Sequence, residues 1–425
     1  MSAGAVEAAH AGPFDWLLTA PPASKRALLA ASLGWMLDSF DVMLYSLVLA
    51  QLIHDFGLTK HQAGWLGSMT LLSAAFGGVV FGYIADRFGR TRALMGSILV
   101  YAVFTAACGL THTLLELAIC RVLLGFGMGG EWASGASLVA ETWPAEHRGK
   151  ALGLVQSSWA IGYALAAAVV AIVLPRFGWR AVFFVGVLPA LLTVWLRFGV
   201  EEPQAWRDSR EEIVPQPRRG LSAVFAPGRR TVTIMLALMN ACTLFAWWGY
   251  NLWVPGYLSL PRNAGGMGLS THTMAMVVLT AQIGMWVGYV SFGYLCDRFG
   301  RKGCYVVYLM MACASLLVYS RVHSVVLLLC IGPVLAFFGT GYFSGFAAVT
   351  AELYETRIRA TAQGFLYNSG RVASALAPLT VSDLAQRKGF GLAFTVVASV
   401  FALAAVLWIW IPETRGLSRK VGAAQ

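Results

Sequence analysis

Apolar runs of about twenty residues recur along the whole chain, and that recurrence decides the class of fold. Residues 93–111, for example, hold no charged side chain. As a helix, a run of that length crosses the hydrocarbon core of a bilayer. Twelve such segments can be read: 27–52, 62–84, 93–111, 114–139, 151–174, 180–200, 231–256, 272–295, 303–320, 324–350, 360–383 and 389–411. The composition agrees, with 58% hydrophobic and 12% charged residues and a mean hydropathy of +0.67. A large soluble fold needs a polar skin that this chain cannot supply. Disorder needs the opposite composition. A β-barrel would alternate apolar and polar residues in runs of roughly ten. The expected fold is therefore an all-α membrane protein of twelve transmembrane helices.

The polar stretches organise these spans. Residues 201–230 form the one long polar connection, rich in Glu, Arg and Pro, and read as a linker between a first bundle, 27–200, and a second, 231–411. Short tails, 1–26 and 412–425, complete the chain, and the first shows no cleavable signal pattern. With both ends inside, cytoplasmic segments hold 22 of the 31 Lys and Arg residues against seven outside, the bias expected of cytoplasmic loops. The net charge of +11 is on this reading topology, and no nucleic-acid partner is expected. Both termini are expected in the cytoplasm, with a bacterial inner membrane as the setting.

The two halves repeat. Residues 81–90 read FGYIADRFGR and 292–301 read FGYLCDRFGR, an offset of 211 that also carries Glu141 to Glu352, Arg148 to Arg359 and Gly153 to Gly364. A constant offset across separate motifs implies duplication of a six-span unit. Parallel repeats about an axis along the membrane normal suit a site at the midplane between the halves. The seven cysteines form no CxxC pair or Cys/His cluster, so neither a metal site nor a disulfide is expected.

Five ionisable side chains lie deep in the spans: Asp38, Asp41, Arg121, Glu131 and Arg371. Isolated in a membrane they would cost on the order of 15 kcal/mol together, so they must be paired, solvated or functional. Asp38 and Asp41 share one helix face. Two such carboxylates cannot both ionise cheaply in a low dielectric, which suits a proton-coupling group; the alternative is a structural pair with an Arg. Arg371 sits near the midplane, and its planar fork matches a carboxylate; it is either the anchor of an acidic substrate or the permanent partner of a span-one Asp. Arg121 lies nearer the outer end of its span. Glu131, after Gly127, Gly129 and Gly130, could pass a proton inward or pair with a cytoplasmic Arg. Gln156, Asn240, Asn251, Gln282 and Asn368 could bond substrate or glue helices together. Trp35, Tyr45, Trp159, Tyr163, Trp247, Trp248, Tyr250 and Tyr367 could wall an apolar pocket or simply pack.

These motifs resemble the major facilitator superfamily. Gly82, Asp86, Arg87, Gly89, Arg90 and Arg92 fit its loop signature between spans two and three, and Gly293, Asp297, Arg298, Gly300, Arg301 and Lys302 repeat it. Arg121, Gly125, Gly127 and Gly129 fit its fourth-span pattern, and Pro412-Glu413-Thr414-Arg415-Gly416 is similar to the PETKG ending of sugar-porter-like members. Asp38-Ser39-Phe40-Asp41, Gly129-Gly130-Glu131 and Asn368-Ser369-Gly370-Arg371 are similar to elements of organic-acid:proton symporters. The chain lacks both the span-seven signature of yeast lactate permeases and the QQxxG element of sugar porters.

The resemblance implies two pseudo-symmetric six-helix bundles, a monomer in the lipid bilayer, and alternating access driven by a proton gradient with no cofactor. It implies symport of a small organic anion and no enzyme activity. The alternative is proton-coupled efflux or exchange of a drug-like or sugar-like substrate. On this reading Arg371, Arg121, Asn368, Gln156, Tyr45, Trp159, Gln282 and Asn251 bind substrate, while Asp38, Asp41 and Glu131 handle the proton. Asp86, Arg90, Arg148, Asp297, Arg301 and Arg359 form cytoplasmic gates, with Asp86 accepting from Arg148 and Asp297 from Arg359.

Overall fold

A computed structural model describes residues 15–199, 221–354 and 356–415. The expected tails at 1–14 and 416–425, and linker residues 201–220, lie outside the described residues. The long helices are α1 Pro22–Asp55, α2 Lys60–Phe88, α3 Arg90–Cys108, α4 Leu114–Thr142, α5 Ala145–Val185 and α6 Leu188–Gly199 in the first half. The second half has α7 Arg230–Ser259, α8 Thr271–Phe299, α9 Arg301–Tyr319, α10 Val325–Leu353, α11 Thr356–Ser374, α12 Ala377–Lys388 and α13 Phe390–Leu407. Helix is the form that satisfies every backbone group within one segment, which hydrocarbon demands.

Among the described residues, nine helical segments are long and apolar enough to span a bilayer by length and composition. The other three expected spans are also helical but each departs for a physical reason. In α4, Glu116, Arg121, Glu131 and Glu141 lower the apolarity. The span expected at 180–200 is divided near Gly186, which ends α5. The span expected at 360–383 breaks into α11 and α12 just before Pro378, whose ring cannot follow a helical turn without clash and which disfavours helix in the residue before it.

The helix ends carry the repeat. Gly89 joins α2 to α3 with φ +117°, and Gly300, 211 residues on, joins α8 to α9 with φ +95°. Only glycine takes these angles without strain, so the repeated motif encodes one backbone turn twice. This end of the molecule is called the motif end. At the far end, Thr59 with Gln62 and Thr113 with Glu116 form capping boxes at the starts of α2 and α4, satisfying N–H groups that would otherwise be unpaired.

The halves meet along α5 on α8, α2 on α12 and α1 on α7, and α11 also packs on α2. Hydrogen bonds fasten them toward the far end. The Ser46 hydroxyl donates to the Leu252 carbonyl at 2.7 Å, the Leu379 N–H donates to Ser68 at 3.2 Å, and the His61 N–H donates to Gln386 at 3.2 Å. Large apolar side chains such as Phe76, Ile283 and Leu403 face outward, as a bilayer-facing surface requires.

Candidate functional site

A cavity lies between the halves. The first half contributes Trp35 from α1, Leu71 and Ala74 from α2, Met128 from α4, and Gln156 and Trp159 from α5. The second contributes Leu244, Trp247 and Trp248 from α7, Tyr289 from α8, Phe343 from α10, and Tyr367, Arg371 and Ser374 from α11. Its mixture of aromatic walls with few polar groups is that of a small-molecule site. The tryptophans form one packed layer: Trp159 lies 4.8 Å from Trp35, 5.5 Å from Trp247 and 6.2 Å from Trp248 between ring centroids.

Arg371 is the charged member of this lining. It is 8% exposed, and its Nη1 donates to the carbonyls of Gly129 at 3.2 Å and Ala74 at 3.4 Å, both in the other half. Gly78 makes this approach possible, because a Cβ there would stand 2.7 Å from Nη1. The guanidinium carbon sits 5.3 Å from the Tyr367 ring. No acidic side chain makes an ion pair with Arg371 among the described residues.

Asp38, Asp41 and Glu131 are all buried, each 1% exposed, and none of the three lines the cavity. Arg371 attracts Asp38 and Glu131 through space, while Asp38 repels both Glu131 and Asp41. Thr105 donates to Asp41 at 3.3 Å. One oxygen of each carboxyl has no hydrogen-bond partner among the described residues. Gly34 opposite Glu131 leaves room for the carboxyl, since a Cβ there would collide with Oε1.

The other expected substrate contacts are dispersed. Gln156 and Trp159 line the cavity with Arg371. Arg121 does not: it is 1% exposed and stacks on Tyr45, its guanidinium carbon 4.1 Å from the ring centroid. Tyr45 itself donates to the Ala63 carbonyl at 2.8 Å. Asn368 turns back to the Gly364 carbonyl of its own helix at 2.9 Å. Asn251 and Gln282 line a separate chamber one turn toward the far end. Conversely, Leu71, Ala74, Tyr289, Phe343 and Ser374 line the cavity without having been singled out in the sequence.

At the motif end, Arg90 donates through Nε at 3.0 Å and Nη2 at 2.9 Å to Glu141. Arg301 repeats this with Glu352 at 3.1 Å, and also pairs with Asp297 at 2.9 Å. Arg148 donates to the Trp143 carbonyl at 3.4 Å. The side chains of Asp86 and Arg359 lie outside the described residues. The partners that sequence reading missed are Glu141 and Glu352, although the 211-residue offset had linked them. Glu413 adds a latch in the second half, accepting from the N–H groups of Arg301 at 2.9 Å and Lys302 at 3.0 Å, while Thr414 donates to Glu352. Burial pushes the Glu413 carboxyl up, but the N–H groups of Arg415, Arg301, Lys302 and Thr414 outweigh it and hold the group below the usual carboxylate range. The latch is therefore intact at neutral pH and is lost only as pH falls through that lowered range. Glu352→Gln is expected to lower the melting temperature more than Glu141→Gln, because Glu352 holds both Arg301 and Thr414; equal shifts in a thermal melt would deny the added latch.

The sequence pattern of the Major Facilitator Superfamily matches residues 31–265 and 236–424. The cis,cis-muconate transport protein of Acinetobacter baylyi is 31% identical over 90% of this chain and 93% of its own length. The niacin transporter NiaP of the same organism is 29% identical over 92% of this chain and 94% of its own. In fold, the chain is similar to the xylose transporter XylE of E. coli in a partially occluded inward-open conformation, with a TM-score of 0.75 at 20% identity, covering 93% of this chain and 99% of that one. A match over nearly the whole length, with one loop turn built twice at Gly89 and Gly300, makes the chain a member of the Major Facilitator Superfamily, a multi-pass membrane transporter and not an enzyme.

Proposed function

We propose that the protein takes up a small organic anion, a monocarboxylate or an aromatic carboxylate, by symport with protons. The observation that carries this reading is Arg371, a guanidinium on the wall of an aromatic cavity with no acidic ion-pair partner among the described residues. A carboxylate seated there gains a charge-assisted, two-pronged contact, and an aromatic or unsaturated body gains the tryptophan layer. A cis,cis-muconate transport protein and a niacin transporter are among its relatives.

Three buried carboxyls against one nearby guanidinium leave an excess of negative charge that protons must balance. An incoming anion competes for the same Arg371. Proton and anion binding together then neutralise the cluster, and the loaded protein crosses between its two open states as the halves rock. With the motif end in the cytoplasm of a bacterial inner membrane, the far-end hydrogen bonds through Ser46, Ser68 and His61 hold the outer side closed in this state. The protein works as a monomer, with the proton gradient as its driving force and no cofactor.

A thermal-shift screen of purified protein with cis,cis-muconate, nicotinate, benzoate and xylose, at two pH values, tests the substrate class. At least one acid is expected to raise the melting temperature while xylose does not. Stabilisation by xylose and by none of the acids would overturn the reading.

A further inference from the structure

The sequence does not single out Tyr101, yet the fold sets it among the buried carboxyls. It lies in α3, is fully buried, and its hydroxyl has no hydrogen-bond partner among the described residues. One oxygen each of Asp38, Asp41 and Glu131 is in the same condition. An orphaned buried hydroxyl costs free energy, and a position that served only packing could carry Phe without that cost.

Contacts on either side fix its depth. Thr105, one turn beyond Tyr101 toward the far end, donates to Asp41 at 3.3 Å. Gly127 of α4 abuts the Tyr101 backbone, since an added Cβ would stand 2.6 Å from its N atom. The Ser97 hydroxyl fastens the two helices there, donating to the Gly127 carbonyl at 2.8 Å. Glu131 is one turn on from Gly127 toward the motif end, against Gly34 of α1. Asp38 lies on α1 between Gly34 and Asp41. Tyr101 therefore sits at a depth between Asp41 and Glu131. A helical side chain leans toward the start of its own helix, which for α3 is the motif end, so the hydroxyl is carried toward Glu131. Of the ionisable groups, Glu131 acts on it most strongly, followed by Asp38 and Asp41. The other helices against α3, namely α2, α5 and α6, bring no further ionisable group to bear on it among the described residues.

We propose that Tyr101 is a positioning residue for the coupled proton: its hydroxyl donates a hydrogen bond to whichever of Glu131 and Asp38 is ionised, and so lets the charge pass between α4 and α1. The phenol keeps its own proton throughout, so it acts as a donor and not as an acid. A carboxylate takes the donor in preference to a carboxylic acid, because a hydrogen bond to a charged group is the stronger. The role in transport rests on the symport reading above, whereas the bond to the carboxyls is tested without substrate.

Infrared titration of the purified full-length protein reads the protonated carboxyls directly, through their carboxylic-acid band. Tyr101→Phe keeps the ring and removes only the donor, so its carboxyls should hold their protons to higher pH. The band is expected to disappear about one pH unit higher than in the wild type, as the loss of one hydrogen bond to a charged group requires. In a protein that already carries Asp38→Asn and Glu131→Gln, adding Tyr101→Phe should shift nothing. Equal midpoints in the wild type and Tyr101→Phe would overturn the proposal, even with a lowered melting temperature, because packing alone moves the melt and not the band. A shift that survives both carboxyl substitutions would overturn it as well. If the shift is found while protonophore-sensitive accumulation is absent, the symport reading fails alone.

Discussion

Replacing Arg371 by Ala is expected to weaken binding of the carboxylate substrate by about 3 kcal/mol, roughly a hundredfold or more. The side chain reaches the cavity from α11 and is held by two carbonyls of the opposite half, so it arrives already oriented. Orientation matters because a planar fork fixed in place loses little entropy when the carboxylate docks. Arg371→Lys keeps the charge but loses the fork, and its affinity should fall between the two. Equilibrium binding of the acid that gives the largest thermal shift supplies the readout. Unchanged affinity in Arg371→Ala, with the variant still folded by its melting curve, would remove Arg371 from the substrate's path.

The second large effect concerns the carboxyl cluster. Neutralising Asp38 to Asn should leave a protein that exchanges substrate across the membrane but no longer concentrates it against a gradient, and neutralising Asp41 should weaken that accumulation. The reason is electrostatic. Asp38 is the carboxyl that interacts with Arg371, Glu131 and Asp41 together, so its charge sets how many protons the cluster must hold. Asp41 acts at one remove, through Asp38 and its bond from Thr105. Asp38→Asn is accordingly expected to abolish accumulation and Asp41→Asn to reduce it. If both variants still concentrate substrate when the outside is acidified, the coupling carboxyl lies elsewhere, and Glu131 is the next to test.

These residues differ in how far the sequence disclosed them. Arg371, Asp38, Asp41 and Glu131 stand out because a charge in an apolar run needs a reason to be there. The cavity-facing apolar residues do not. Leu71, Phe343 and Tyr289 sit in helices that are apolar all round, since one side meets lipid and the other meets protein, so no periodic contrast marks the face that turns inward. Depth was the other loss. The sequence places Asn251 and Gln282 in one site with Gln156, yet they line a different space, about one turn further along α5 and α7, and span boundaries read from hydropathy are coarser than one turn. Arg121 was legible as a buried charge, but its stacking on Tyr45 depends on how α1 and α4 pack, which no local pattern encodes. The gate pairs are a different case. The 211-residue offset carries Arg90 with Glu141 onto Arg301 with Glu352, but the expected gates pair Asp86 with Arg148 and Asp297 with Arg359 and leave Arg90 and Arg301 without a named partner.

Accumulation in proteoliposomes tests the central claim most directly. Purified protein is reconstituted in sealed vesicles, the outside is made acid relative to the lumen, and entry of the labelled acid selected by the thermal-shift screen is followed over time. Accumulation above the external concentration is expected, collapsing when a protonophore is added and absent in Arg371→Ala vesicles. Entry that only equilibrates, or accumulation that persists with the protonophore present, would contradict proton-coupled uptake through this site.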